Sequence, residues 1–416
     1  MVLAVANFEG MLIHQLDVKT AFLNGKLDQE IYMRLPNEFE TKGLVAKLQR
    51  SLYGLKQASR AWNSRFHEFV TGLGFVQSKA DSCLYTAVKN GELVLLIIYV
   101  DDILIACRSL ELISTLKDGL KREFEMTDLN EVKTFLGLSV EYDRAAGALS
   151  ISQQKYLESL LNRLNMGECK PTRTPIATGL KLTKCTDKAE QTDKPYRELI
   201  GCLMYATTTS RPDLSAAVNY FSGFQSCASE EHWSHLKRVL RYIRGTLGAK
   251  LVFRRSGGEC KLLQGYVDAD WAGDVSDRRS TSGFLFYVYG CLVSWASRKQ
   301  TSVALSSAEA EYVALSVGAT EAIWLRMVLQ DLHRTLDEPT DILEDNQACI
   351  RVAEEEKPTK RLKHVDVRWH FIRTEIQRGV IKLSYVPTNL QVADIMTKAL
   401  PGPQFANLRD KLGLSA

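Results

Sequence analysis

Two adjacent carboxylates, Asp101 and Asp102, interrupt one of the most apolar stretches of the chain, LVLLIIYVDDILIA over residues 93–106. Carboxylates among apolar residues are costly unless a cation compensates them, because desolvation disfavours the charged form. A divalent metal is the evident compensation. A hard ion such as Mg²⁺ commonly takes one or two protein carboxylates together with substrate phosphates. A third carboxylate, Asp17, ends the extended run LIHQLDV, and Phe22 follows as an aromatic able to wall a nucleotide sugar. Each piece also has a plainer reading: a surface hairpin with aspartates at its turn, and Asp17 as the cap of a helix starting at Val18.

A second set of acids lies near the C-terminus: Asp268 in the strand-like KLLQGYVDAD, Glu311 early in a long helix, Asp345 at the end of DILED, and Asp394 in LQVADIMTKAL. Asp270 shares the strand face of Asp268, whereas Glu309 lies about 200° round the helix from Glu311, and periodicity does not choose within either pair. Ordinary roles fit these residues singly: Asp345 as cap of a helix opening at Asn346, Asp394 as a first-turn acid, Glu311 as a solvated helix residue.

The elements that must position these groups fall into two or three domains, as 416 residues with 45% hydrophobic and 25% charged side chains imply. Residues 1–145 mix strands with a helix over about 57–72 and the hairpin around Asp101, an α+β pattern. Residues 146–255 follow, with a Lys-, Thr- and Pro-rich stretch over 165–198 expected as an exposed connector and helical periodicity from 196 to 247. Residues 256–416 read as mixed α/β, with three strands, the long helix from near Ser306, the strand DILED, helices after Asn346 and over 364–378, the strand VIKLSYV and LQVADIMTKAL as the last helix. EEEKPTKRLKH is expected as a charged surface loop. In HWSHLKRVLRYIRGTL, Trp233, Leu236, Leu240, Ile243 and Leu247 share one helical face, and Lys237, Arg238, Arg241 and Arg244 gather beside it. Such an arc either follows duplex phosphates or is simply solvated.

The averages exclude several classes. Nine cysteines without a C-x-x-C pair argue against a disulfide framework and a zinc site. A net charge of +4 is too mild to imply a polyanion partner. The 93–106 run is broken before it spans a bilayer and no signal segment precedes it, so an intracellular protein without membrane contact is expected.

QLDVKTAFLNG, SLYGLKQASRAWN, YVDDILIA and TFLGLSVEY occur in an order that resembles the reverse transcriptase of copia-type LTR retrotransposons. The resemblance extends to GYVDADWAGD, SSAEAEYVAL, EDNQACI and VADIMTKALP, which look like the ribonuclease H of the same elements. It implies a right-hand polymerase palm with incomplete fingers, a helical connection and an α/β ribonuclease H-like domain. Asp17 and Asp101 would bind two Mg²⁺ ions, with Mn²⁺ as the alternative, and Asp102 would be the less essential member of the pair. Phe22 would be the gate against a ribose 2′-hydroxyl, while Gly54, Lys56, Gln57 and Ser59 would border nucleotide and template. The four ligands of the second pair of ions would be Asp268, Glu311, Asp345 and Asp394, and Lys237, Arg238, Arg241 and Arg244 would follow the duplex. VPTNLQ, ahead of Asp394, lacks the histidine of many cellular ribonucleases H, and His364 and His370 read as structural or surface residues.

Implied partners are an RNA template, a DNA primer, an RNA/DNA hybrid, deoxynucleoside triphosphates and other parts of a retrotransposon polyprotein. The implied location is a cytoplasmic virus-like particle, with the nucleus as a second. Sixteen residues precede Asp17 where such polymerases carry basic fingers, so an N-terminally truncated portion of a larger protein is expected. Three alternatives stand beside this reading: ribonuclease H activity alone, a noncatalytic nucleic-acid-binding remnant, and an unrelated Mg²⁺-dependent phosphohydrolase.

Overall fold

The computed structural model describes residues 1–39, 43–185, 187–255, 258, 260–355 and 366–415. His364 and most of the EEEKPTKRLKH loop lie outside the described residues. The chain forms two compact units, one of residues 9–136 with 327–334, the other of residues 1–8, 137–326 and 335–416. These group the chain differently from divisions at 145 and 255. Strand Lys250–Arg254 pairs with Ala148–Ser152 on one side and with Leu414–Ser415 on the other, so residues 146–255 and 256–416 share one unit.

The first unit is built on an antiparallel sheet in the order Val76–Gln77, Leu84–Lys89, Glu92–Tyr99, Asp102–Cys107, Leu12–Val18, Met126–Glu131. Val94, Leu96, Ile98, Ile103, Ile105, Leu16 and Val18 pack with Trp62, Phe66 and Val70 of helix Ala58–Gly72 and with Ile113, Leu116 and Leu120 of helix Leu110–Glu123. Leu95, Leu104 and Ala106, which alternate with them, are buried as well. Burial on both faces accounts for an apolar run without alternation, and each such side chain contributes roughly 1.5–3 kcal/mol. Ser109 starts the second helix by accepting the Leu112 N–H at 3.2 Å, with Glu111 in its first turn and Lys121 and Arg122 in its last.

Lys117 of that helix is buried and donates to His14 Nδ1 at 2.7 Å and to Asp128 Oδ1 at 2.7 Å; Lys121 donates to Asp128 Oδ2 at 2.8 Å. Burial alone would raise the Asp128 pKa, but bonds from Lys117, Lys121 and the Asn130 N–H outweigh it and hold the carboxyl below its ordinary 3.8. A lowered folded-state value adds stability above the ordinary value, and that stability is lost as pH falls through the folded value. Lys117→Met is therefore expected to cost about 1–3 kcal/mol at neutral pH. The cost should shrink near pH 3; urea unfolding of both proteins at the two pH values measures it.

In the second unit, Leu138–Asp143, Ala148–Ser152, Lys250–Arg254 and Leu414–Ser415 lie side by side. Asn7 of the Val2–Phe8 helix ties itself to them by donating to Gly147 O and Phe253 O at 3.1 and 3.0 Å. Helices Tyr196–Thr209, Ser215–Ser222 and Glu230–Gly245 supply the periodic 196–247 region. Among them Arg211, fully buried, makes a two-bond pair with Asp213 at 2.9 and 2.8 Å and donates to Thr246 Oγ1 at 2.7 Å. Tyr242 closes this network by donating to Asp213 Oδ2 at 2.6 Å.

The stretch over 165–198 is largely exposed and irregular, as expected of a connector, but it is pinned at a few points. Thr174, Ile176 and Leu182 are buried; Arg238 and Arg241 of the Glu230–Gly245 helix donate to Thr174 and to the Lys170 carbonyl, and the Leu182 N–H donates to the Tyr220 hydroxyl.

The remaining sheet runs Cys291–Lys299, Thr281–Val288, Leu263–Asp270, Thr340–Glu344, Ile381–Tyr385. Its first three strands are antiparallel and its last two join in parallel. Helix Ser307–Asp331 is long and apolar enough to cross a membrane by length and composition, but 61% of its most apolar window is buried inside the fold. Gly318 lets it approach the sheet: a Cβ there would lie 2.6 Å from Val267 Cγ2. LQVADIMTKAL is not the last helix. It contains one helical turn, Asp394–Thr397, and a further helix Gly402–Lys411 and the strand Leu414–Ser415 follow.

Candidate active sites

Strand register brings the first three aspartates together. Asp17 pairs opposite Asp102 across neighbouring strands, and Tyr99 opposite Asp102 leaves Val100 and Asp101 as the hairpin tip. Asp17 thus continues a strand instead of capping a helix, and only a 3₁₀ turn, Ala21–Asn24, follows. Val100 has φ 54°, a left-handed conformation that costs a β-branched residue about 1–3 kcal/mol. Trp62 Nε1 holds it by donating to Val100 O at 2.8 Å, and the Val18 N–H donates to Asp101 O at 2.8 Å. The strain fixes the direction in which Asp101 leaves the tip.

Burial first, and then Asp102, raises the Asp17 pKa; burial, Asp17 and Asp102 raise that of Asp101. Asp101 Oδ1 is buried without a hydrogen-bond partner. Asp102 Oδ1 differs, because it accepts from Gln15 Nε2 at 2.8 Å. An unpaired buried oxygen in the field of two other carboxylates is a fitting place for a hard cation.

Phe22 sits on the 3₁₀ turn with its ring centroid 4.7 Å from that of Tyr53, and the Ser51 hydroxyl donates to Phe22 O. Tyr53 went unread in the sequence although it precedes Gly54, whose φ of 95° makes the turn that glycine permits. Burial, and then the charge of Asp101, raises the Tyr53 pKa, which puts its phenol in the field of the acidic site. Lys56 and Ser59 are exposed, and Gln57 donates to Gln29 Oε1 at 3.3 Å. Gln57 lines a cavity with Lys26, Arg60 and Arg65.

In the second unit the four acids converge from four elements. Asp268 lies in strand Leu263–Asp270, Glu311 near the start of the long helix, Asp345 directly after strand Thr340–Glu344, and Asp394 at the start of its one-turn helix. Ligand oxygens of Asp268, Asp345 and Asp394 lie within 4.8 Å of one another, and so do those of Glu311, Glu344 and Asp345. Gly283, paired opposite Asp268, makes room for the turn that carries Asp394: a Cβ there would lie 2.6 Å from Met396 Cβ. Gln391, in VPTNLQ, braces the same turn by donating to Val267 O at 2.9 Å.

Geometry separates the competing neighbours. Glu309 accepts from the Leu305 N–H at 2.8 Å and so braces the helix start, whereas Glu311 Oε2 is buried with no hydrogen bond. Asp270 packs over the turn at Gly273, where an added Cβ would lie 1.9 Å from its Oδ2. Asn346, not Asp345, caps the following helix by accepting from the Ala348 and Cys349 N–H groups at 3.0 Å. Burial is the largest cause raising the pKa values of Asp268, Glu311, Glu344 and Asp394, and their mutual repulsion adds to it.

Three residues of this site were not singled out in the sequence. Lys398 Nζ lies 2.9 Å from Asp394 Oδ1 and 3.6 Å from Asp268 Oδ2. The Thr397 hydroxyl donates to Asp268 Oδ2, and Glu344 is fully buried. Lys398 had a signal, since it stands one helical turn after Asp394. His370 lies on the exposed face of its helix beside the Trp369 ring.

The cationic arc expected to follow a duplex is largely engaged within the chain. Arg238 donates to Thr174 O and Oγ1 at 3.1 and 2.9 Å, Arg241 donates to Lys170 O at 2.8 Å, and Arg244 pairs with Glu168 at 3.7 Å. Lys237 is half-buried. The apolar face of the helix is wider than expected, with Val239 and Tyr242 fully buried, and Leu247 lies beyond the helix end at Gly245.

Residues 1–178 match the family described as Reverse transcriptase (RNA-dependent DNA polymerase). The chain is 39% identical over 423 residues to the Retrovirus-related Pol polyprotein from transposon TNT 1-94 of Nicotiana tabacum, which covers 99% of this chain and 32% of that protein. It is 31% identical over 305 residues to the putative transposon Ty5-1 protein YCL074W of Saccharomyces cerevisiae, covering 72% of this chain and 98% of that protein. The chain thus spans about a third of the tobacco relative's length. Among solved structures, LC11-RNase H1 isolated from compost covers 33% of the chain at 16% identity and a TM-score of 0.27, too low to add to the topology described above.

Proposed function

The chain belongs to the Pol polyproteins of copia-type retrotransposons, within the reverse transcriptase family, and on that premise we propose that it is an RNA-directed DNA polymerase that also hydrolyses the RNA strand of RNA/DNA hybrids. The observation that carries this reading is that each unit holds a buried, unpaired carboxylate oxygen in the field of other acids, Asp101 Oδ1 beside Asp17 and Asp102 in one and Glu311 Oε2 in the cluster with Glu344 and Asp345 in the other. Structural carboxylates are ordinarily satisfied by hydrogen bonds or cations.

In the first unit Asp17 and Asp101 would hold the ions, and Asp102, engaged by Gln15, would position the strand ends. Phe22, backed by Tyr53, would wall the sugar of an incoming deoxynucleotide, and Gly54, Lys56, Gln57 and Ser59 would border nucleotide and template. In the second unit Asp268, Glu311, Asp345 and Asp394 would hold the ions, with Thr397 orienting Asp268. Lys398 would keep Asp268 and Asp394 compensated and lies where it can meet a phosphate oxygen. Bound Mg²⁺ or Mn²⁺ supplies an activated hydroxyl or water and stabilises the departing oxygen. The 2′-hydroxyl of the RNA strand is the chemical mark that tells it from DNA. Function inside a cytoplasmic particle with other polyprotein parts belongs to the same proposal.

Extension of a DNA primer on an RNA template, with four deoxynucleotides and Mg²⁺, tests the polymerase half. Asp101→Asn is expected to reduce extension on the order of 10²-fold or more, and Asp102→Asn to reduce it less. Equal extension by wild type and Asp101→Asn would remove the palm site from the account.

A further inference from the structure

We infer that Glu344 is a cation ligand, forming with Glu311 and Asp345 a second ion position beside that of Asp268, Asp345 and Asp394. The inference rests on the hydrolase reading above and deepens it. Glu344 ends strand Thr340–Glu344 and Asp345 follows it in the turn, so two consecutive carboxylates that would diverge along a strand converge here. Glu344 is 0% exposed; its Oε1 accepts from the Asn346 N–H at 3.0 Å and its Oε2 has no hydrogen-bond partner. Glu311 Oε2 is equally unpartnered. The ligand oxygens of Glu311, Glu344 and Asp345 lie within 4.8 Å of one another. Among the described residues, Lys398 makes its ion pairs with Asp268 and Asp394, not with this trio.

Two buried carboxyl oxygens without a donor, on residues whose carboxylates approach within 4.8 Å, are unfavourable in any arrangement the chain supplies by itself. An oxygen-preferring divalent ion satisfies both at once. The competing explanation is that Glu344 merely accepts the Asn346 N–H as a brace for the next helix. Glutamine has the same shape and an equivalent acceptor, so Glu344→Gln preserves the brace and removes the ligand charge.

The test uses the full chain carrying Asp17→Asn and Asp101→Asn, which silences the first unit's site. Mn²⁺ is titrated into metal-stripped protein, with free ion followed by electron paramagnetic resonance and melting recorded with and without Mn²⁺. Glu344→Gln is expected to lose one bound ion or to weaken its binding by about 10–100-fold, while melting in chelator as high as its parent. Binding unchanged in count and affinity would overturn the inference. Asp268→Asn in the same background separates the two levels: weakened binding there with unchanged binding in Glu344→Gln defeats only the Glu344 assignment. Unchanged binding in both defeats the hydrolase site itself. If Glu344→Gln does not fold, Glu344→Asp decides, since shortened reach should weaken Mn²⁺ at constant count, and parental affinity would overturn the inference.

Discussion

Asp268→Asn is expected to lower cleavage of the RNA strand in an RNA/DNA hybrid by about 10³-fold, an effect of about 4 kcal/mol on the barrier, while primer extension by the same preparation continues. Asp268 is 1% exposed, at the centre of its sheet, and shares an oxygen cluster with Asp345 and Asp394. Asparagine fits the same space and can still accept from Thr397, but its amide lacks the charge that holds a cation. Burial raises the Asp268 pKa, so removing the charge relieves desolvation, and melting in chelator should hold or rise. Loss of cleavage without loss of fold separates a ligand from a structural brace. A hybrid-cleavage time course and a melting curve measure the two halves.

Asp213→Ala is expected to be the most damaging single substitution for stability in the second unit. Arg211 and Asp213 are 0% and 1% exposed, and Tyr242 and Thr246 complete their bonding. Removing the carboxylate strands a buried guanidinium and a buried phenol, a loss of about 3–5 kcal/mol. For a unit of this size that is a fall in Tm on the order of 10 °C. Replacing both charges with apolar residues should cost much less, because breaking the pair, not lacking it, is what leaves charge uncompensated. Thermal melting of Asp213→Ala and of Arg211→Met/Asp213→Leu compares the two.

The strands bearing Asp17 and Asp268 and the hairpin presenting Asp101 were legible because apolar runs and their breaks report burial directly. The convergence of Asp268, Glu311, Asp345 and Asp394 was reached only through family likeness, since periodicity left Glu309 and Asp270 open. What distinguishes the members of those pairs is local bonding, Glu309 with the Leu305 N–H and Asp270 over Gly273, which no spacing encodes. The arginine arc shows the same limit. Helical periodicity placed Arg238 and Arg241 on one arc but could not say that Thr174 and Lys170 would occupy it. Val100 was invisible because its φ is imposed by a two-residue hairpin tip and the Trp62 bond, against its own preference. Glu344 was passed over because a buried glutamate beside an aspartate reads as strand alternation until the strand is seen to end between them.

The most direct test of the account is one gel. A labelled DNA primer on a differently labelled RNA template is incubated with Mg²⁺ and four deoxynucleotides, using wild type, Asp101→Asn and Asp268→Asn. Two independent sites on one chain predict that wild type extends the primer and cuts the template, that Asp101→Asn loses only extension, and that Asp268→Asn loses only cutting. If wild type changes neither strand, or if one substitution abolishes both activities in a folded protein, the account is contradicted.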